Sequence, residues 1–283
     1  MTVCAEIAEE DTVQQPPEMK VDRRTFLSAV GVGAIGAMSH EDRAEELEHY
    51  MIHRLDDSVP PAADGEEAAL LELYEAQEVR APRGTGSLFM PNGREFEPMP
   101  AKPTLEDFFR LRFNPATHVL QSATHALETD QPESTIIACL LHDVVLNLIK
   151  VDHGWWGAQL VEPYVDEKVS WGIRYHAPLR FYPDDTVGYE YPEMYNRIFG
   201  EDYVPEPYIR EAAEFAQSHR WYMEARMITV NDTYGFQEGM QVSLDPFIDI
   251  IGRNFKQPKE GLGYDNSASA HMWRTIANPN RPL

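Results

Sequence analysis

The chain has 283 residues, room for one large domain or one domain with extensions, and a 43% hydrophobic content sufficient for a core. Asp and Glu number 47 against 24 Lys and Arg, a formal net charge of -23. That charge repels phosphate backbones and argues against a nucleic-acid partner, while leaving room for a small anionic substrate in a locally basic pocket. No apolar run reaches the roughly 18 residues of a membrane span. The two cysteines, Cys4 and Cys139, make no disulfide framework. Phosphate-binding loops, nucleotide glycine fingerprints and internal repeats are absent from the sequence.

Three regions follow in chain order. Residues 1–39 read as a polar, acidic tail, disordered to about residue 22, followed by Asp22-Arg23-Arg24-Thr25-Phe26-Leu27 and a glycine-rich apolar run. The arginine pair, Phe-Leu and small residues around Ala37 resemble a twin-arginine export signal, which would send the protein to the periplasm. The alternative is a flexible helix start in a cytoplasmic enzyme. Residues 40–103 form a helical extension and a Pro/Gly-rich arm: His40 to Leu55 and Glu66 to Val79 carry helical periodicity, with Pro60-Pro61 between them. Residues 104–283 carry the catalytic bundle, with helices expected near 104–128, 133–150, 153–163, 166–181, 190–200, 205–234 and 243–255. Strand-like alternation is sparse, so the fold is expected to be all-α.

Within the bundle, His118, His142-Asp143, His153, His176 and Asp232 stand out. Imidazole and carboxylate are the ligand types for iron, zinc and manganese, and a carboxylate can bridge two ions where a neutral ring cannot. Asp143 ends the apolar run Ser134 to His142, where an ionised carboxylate is costly to bury unless it is paired or metal-bound. His118 precedes His142 by 24 residues and His153 precedes His176 by 23. Each gap fits two antiparallel helices joined by a short loop, the way bundles project side chains onto one dinuclear cavity. The six residues are therefore expected to converge. A lone histidine on a helix is more often a satisfied core residue, and Asp232 alone could hold a turn; the ordered set carries the metal reading.

These segments resemble the HD superfamily of metal-dependent enzymes, and within it the mixed-valence diiron oxygenases that include 2-amino-1-hydroxyethylphosphonate dioxygenase, with myo-inositol oxygenase more distant. The resemblance rests on His118 followed by Gln121, the run Ala138 to Asp143, His153 followed by Gly157-Ala158, His176 followed by Arg180, and Asp232. It covers about residues 104–255. It implies one iron held by His118, His142, Asp143 and Asp232 and a second held by Asp143, His153 and His176, with Asp143 bridging and serving catalysis. Mn, Zn or Mg in the same cage would instead suit phosphoester hydrolysis.

Departures from the family accompany the matches. Phe108 stands about where the family has an iron-gating Tyr, and a phenyl ring cannot ligate iron. The histidine that contacts substrate after the His-Asp pair is replaced by the run Val144 to Leu146, and a long aromatic stretch from Tyr182 to Tyr208 replaces a short loop. Arg180, four residues past His176 on a helix, occupies the family's basic position and is expected to clamp an anionic group; Gln121 is a second substrate-contact candidate. Trp155, Trp156, Phe181 and Tyr182 are weaker pocket candidates. The expected function is a diiron oxygenase using dioxygen on a small polar, anionic substrate, with C–P or C–C cleavage as the reaction class. The alternatives are a dinuclear phosphohydrolase and a non-catalytic HD-fold binding protein.

Overall fold

The most apolar helix of the chain fixes the centre of the fold. Every residue from Thr135 to Leu141 is buried, and a helix that is apolar all round must be enclosed by others. The structure, a computed structural model, describes residues 19–31, 40–58, 97–113, 116–146, 148–200 and 204–278. Its helices are α1 (Arg23–Val30), α2 (His40–Ser58), α3 (Leu105–Leu111), α4 (Thr117–Glu128), α5 (Glu133–Leu141), α6 (His153–Val161), α7 (Glu167–Leu179), α8 (Glu193–Phe199), α9 (Pro207–Ser218), α10 (Tyr222–Asp232), α11 (Ile248–Asn254) and α12 (Ala270–Ala277). The described residues contain no strand, only the isolated bridge between Asp184 and Tyr189, so the fold is all-α.

Helix α5 packs on α4, α7, α10 and α11, and α7 also packs on α6, α9 and α10. One apolar core fills this bundle, with Phe108, Phe113, Leu140, Ile173 and Trp273 among its members. A second core joins α1 and α2 to the bundle through Phe26, Leu47 and Leu55 on one side and Leu146, Phe181 and Phe236 on the other. Met19 and Val21, expected in a disordered tail, are buried there, and Phe26 after the arginine pair meets Tyr50 edge to face at 5.5 Å. Residues 1–18, the run 32–39 and most of the expected arm, with the helix expected at 66–79, lie outside the described residues.

Three helix boundaries differ from expectation for local reasons. The helix expected over 133–150 ends at Leu141 because the chain turns at His142, whose ring Nδ1 bonds the Cys139 carbonyl at 2.8 Å, and Leu146 N then bonds back to Asp143 O. The segment expected as one helix over 205–234 breaks between α9 and α10. There His219 leaves helical geometry, stacks on Trp171 at 4.4 Å and accepts a hydrogen bond from Trp221 N. The helix expected over 104–128 is likewise two, α3 opening with a reciprocal Thr104–Asp107 capping box and α4 starting past Pro115.

Candidate metal centre

His118, His142, Asp143, His153, His176 and Asp232 gather between α4, α5, α6, α7 and α10, and all are buried. Asp143 lies at the middle. Its Oδ2 is 3.5 Å from both His118 Nε2 and His142 Nε2. Its Oδ1 is 3.1 Å from His153 Nε2 and 3.5 Å from His176 Nε2. Asp232 Oδ1 joins the first group, 2.8 Å from His118 Nε2 and 3.6 Å from His142 Nε2. One carboxylate thus divides its two oxygens between two histidine pairs. His118, His142 and Asp143 form one set with metal-ligand spacing, and Asp143, His153 and His176 form another.

The opposite ring nitrogens decide what the inward ones offer. His142 Nδ1 lies 2.8 Å from Cys139 O, His176 Nδ1 2.6 Å from Ile173 O and His153 Nδ1 3.1 Å from Lys150 O. Each partner is the carbonyl three residues earlier. His118 stands in the first turn of α4 and takes a distant carbonyl instead, Gly235 O at 3.1 Å. A carbonyl only accepts, so every Nδ1 is the donor and every Nε2 presents a lone pair to the cavity. Asp143 Oδ1 and Oδ2 and Asp232 Oδ1 accept no hydrogen bond despite their burial. Lone pairs facing carboxylate oxygens repel unless a positive charge sits among them, and buried charges require a partner or a metal. The residues therefore fit a metal pair.

The titration behaviour points the same way. Burial opposes charge on His118, yet the Asp232 carboxylate beside it lifts the ring to about 9. Burial alone would raise Asp143, and the surrounding His142 and His153 rings hold it well below the carboxylate range. The buried carboxylates thus favour positive charge between the rings, which a proton or a metal ion supplies.

Two glycines allow the close approach. A Cβ on Gly235 would stand 2.5 Å from His118 Nδ1, and one on Gly154 would stand 2.8 Å from Ile173 O, the carbonyl that orients His176. Neighbouring residues carry structural duties. Asn231, not Asp232, ties α10 to α4 by accepting from His125 Nδ1 at 2.7 Å, and Thr229 Oγ1 donates to His176 O at 3.1 Å.

Two carboxylates that sequence reading missed come from α2. Glu45 lies 2.7 Å from His153 Nδ1 and also accepts from Arg180 Nη2, while Glu48 accepts from Arg180 Nη1. Glu45, Glu48 and Arg180 are all buried. Burial lifts Glu48 to about 7 in spite of Arg180, with Asp143 and Asp232 adding to the rise. A signal was present: Glu48 falls inside the apolar stripe Ala44, Leu47, Met51, Leu55, where a carboxylate has no reason to be unless it meets a partner.

Arg180 reaches the site, as its register with His176 requires, and its guanidinium bridges the Glu45 and Glu48 carboxylates. Gln121 is likewise engaged: its amide donates to Gln237 O and accepts from Gln237 N, both at 2.9 Å, clasping the loop that carries Gly235 with both ends of the amide. Phe108 is buried against Trp273 at 4.7 Å in the main core, away from the cluster. Trp156 is exposed, and neither it nor Trp155 is among the described residues that line the two cavities beside the cluster.

The long aromatic stretch after Tyr182 supplies what those candidates do not. A cavity of about 520 Å³ descends to Glu48, Arg180 and Asp232, walled by Tyr189, Tyr191, Tyr195, Tyr234 and Phe236. Phe236 packs on the His118 ring at 4.4 Å. A smaller void of about 50 Å³ touches His118 and Asp143 beside Val119, Val144 and Leu146.

No family model matches the chain. A curated relative is the [1-hydroxy-2-(trimethylamino)ethyl]phosphonate dioxygenase (glycine-betaine-forming) of Leisingera caerulea, 31% identical over 94 residues. The match covers 29% of this chain and 46% of that protein, so the chain spans about half of the relative's length.

Proposed function

We propose that the chain is a non-haem diiron oxygenase of the HD superfamily, using dioxygen to oxidise a small polar molecule. The observation that carries the dinuclear part of this reading is the division of the Asp143 carboxylate between two histidine pairs, because a single-metal hydrolase has no use for the second pair. The oxygenase chemistry named for the relative supports it. One ion would be held by His118, His142, Asp143 and Asp232, the other by Asp143, His153 and His176. When bound, two irons supply electrons for dioxygen reduction and open positions for substrate.

The remaining work falls to this chain's own side chains. The carbonyl-bonded Nδ1 atoms hold four rings in the metal-binding tautomer. Glu45 adds negative charge behind His153, which makes that ring a stronger base, and Arg180 keeps Glu45 ionised in the dry interior. Phe236 shields the His118 ring on the cavity side, while the tyrosine walls exclude bulk water from a bound substrate.

Phosphoester hydrolysis is less suited to this cavity. Arg180 is the only basic residue lining it among the described residues, and its charge is already matched by two carboxylates. The test is oxygen uptake by protein reconstituted anaerobically with iron or with zinc, in parallel with hydrolysis of a generic phosphodiester. Iron-dependent, substrate-stimulated oxygen consumption is expected. Phosphodiesterase activity with zinc or manganese and no oxygen uptake with iron would reject the proposal.

A further inference from the structure

The ligand cluster is reached by two spaces that share no lining residue among the described ones. The cavity of about 520 Å³ descends to Glu48, Arg180 and Asp232, whereas the void of about 50 Å³ ends on His118 and Asp143. Helix α2 contributes to both walls, Met51 lining the larger space and the next residue, Ile52, the smaller. Neither His142 nor Asp232 lines the void, so it lies beside the ligand set rather than among its inward-facing atoms. Arg112, Leu148 and Ile276 also line it and are half-buried, so the void runs from the buried ligands toward the surface.

Size and lining together select what can occupy it. Sites that enclose an organic ligand measure roughly 300–1,000 Å³, so this void admits only a molecule of roughly two or three heavy atoms. Its walls are apolar: Ile52, Phe113, Val119, Val144 and Leu146 are all buried there. Arg112 turns its guanidinium to backbone, donating to the carbonyls of Glu97, Leu111 and Ala277 at 2.8–3.2 Å. Between such walls a water lacks the about two to four polar partners that hold a buried water, and apolar cavities stay dry while admitting xenon. Dioxygen is diatomic, uncharged and apolar, so it enters dry apolar space that a polar substrate avoids. A substrate seated in the larger cavity would block a gas arriving behind it. A second approach removes that conflict.

We propose that the small void is a dioxygen port, an apolar approach walled by Val119, Val144 and Leu146 that delivers the gas beside His118 and Asp143 independently of the larger cavity. The inference rests on the oxygenase reading and deepens it by giving the gas its own site and route.

Crystals of the unaltered full chain, pressurised with xenon, test the site without turnover. An anomalous xenon peak is expected between Val119, Val144 and Leu146. No peak there, or xenon confined to the larger cavity, overturns the proposal. Ile276→Phe tests the route, because Ile276 lies on α12, which carries no ligand, and a larger ring there fills the void from its half-buried end. In that variant the xenon peak should be lost. The rate at which dioxygen oxidises the iron-loaded, anaerobically reduced protein, followed by stopped-flow absorbance, should fall several-fold. Leu148→Phe closes the same void from another wall and gives the same readings if Ile276→Phe does not fold. A variant that has lost the xenon site but reacts with dioxygen at the native rate overturns the port. The two failures are separable. Iron-dependent oxygen uptake with no xenon in the void removes the port alone, whereas xenon in the void without oxygen uptake removes the oxygenase reading and the port's role with it.

Discussion

Gly235→Ala reports on how the His118 ring is held. An added Cβ would stand 2.5 Å from His118 Nδ1 and 2.6 Å from both His118 Cε1 and Ser122 Oγ. Carbon atoms pack favourably at about 3.5–4.0 Å, so the ring or the loop must retreat by about 1 Å. That movement breaks the 3.1 Å bond from His118 Nδ1 to Gly235 O and turns Nε2 away from Asp143 and Asp232. Overpacking of this kind costs about 1–3 kcal/mol, equivalent to a Tm lower by about 2–12 °C in a domain of this size. Loss of the orienting carbonyl should weaken the ion held by His118 by about 10- to 100-fold. Gly252→Ala is the control, since a Cβ there meets nothing within 4 Å and the position lies in α11, where alanine is favoured by about 0.5–1 kcal/mol. Thermal melts and metal analysis after graded chelation read both effects. A Gly235→Ala protein with unchanged Tm and metal retention would refute the reasoning about ring orientation.

Three further substitutions separate the parts of the site. Asp143→Ala should lose both ions while His176→Ala loses mainly one, because Asp143 alone faces both histidine pairs; two ions retained in Asp143→Ala would contradict a bridging role. Glu45→Ala should weaken the ion at His153 by about 10- to 100-fold, with Glu45→Gln falling between it and the native protein, since the amide oxygen still accepts from Nδ1 but without charge. Competition with a chelator measures this, and equal retention in all three proteins would remove Glu45 from the site. Arg180→Ala should lower stability by about 3–5 kcal/mol, because it leaves two buried carboxylates without their cation. A raised KM with unchanged Tm would instead restore Arg180 as a substrate clamp.

Much of the site's layout is legible in the sequence because ligand-type residues are chemically rare on apolar helices. The run Ser134 to Asp143 and the two histidine gaps are enough to expect a gathering of six residues. What holds them is less legible. The orienting carbonyls at Cys139, Ile173 and Lys150 belong to backbone, which carries no residue signature, and Gly235 matters only through a contact made 117 positions away. Glu45 and Glu48 lie on a helix outside the region of family resemblance, where long-range pairing with Arg180 cannot be read from spacing. The reading of Arg180 as an anion clamp could not include that pairing: its register is right, and the structure adds two intramolecular carboxylate partners. Helix α12 lies beyond the region of family resemblance and makes only about two turns in its eight residues, too short a window to stand out although Trp273 is fully buried. The aromatic stretch after Tyr182 stands out in the sequence, but only the fold brings Tyr189, Tyr191 and Tyr195 to the same cavity as Tyr234.

Crystals of protein purified and loaded with iron under anaerobic conditions, measured at the iron absorption edge, test the dinuclear assignment most directly. Two anomalous peaks about 3.5–4 Å apart are expected, one beside Asp143 Oδ2 with His118 and His142, the other beside Oδ1 with His153 and His176. A single peak, or density bound elsewhere while the two oxygens of Asp143 face only nitrogen, would contradict it.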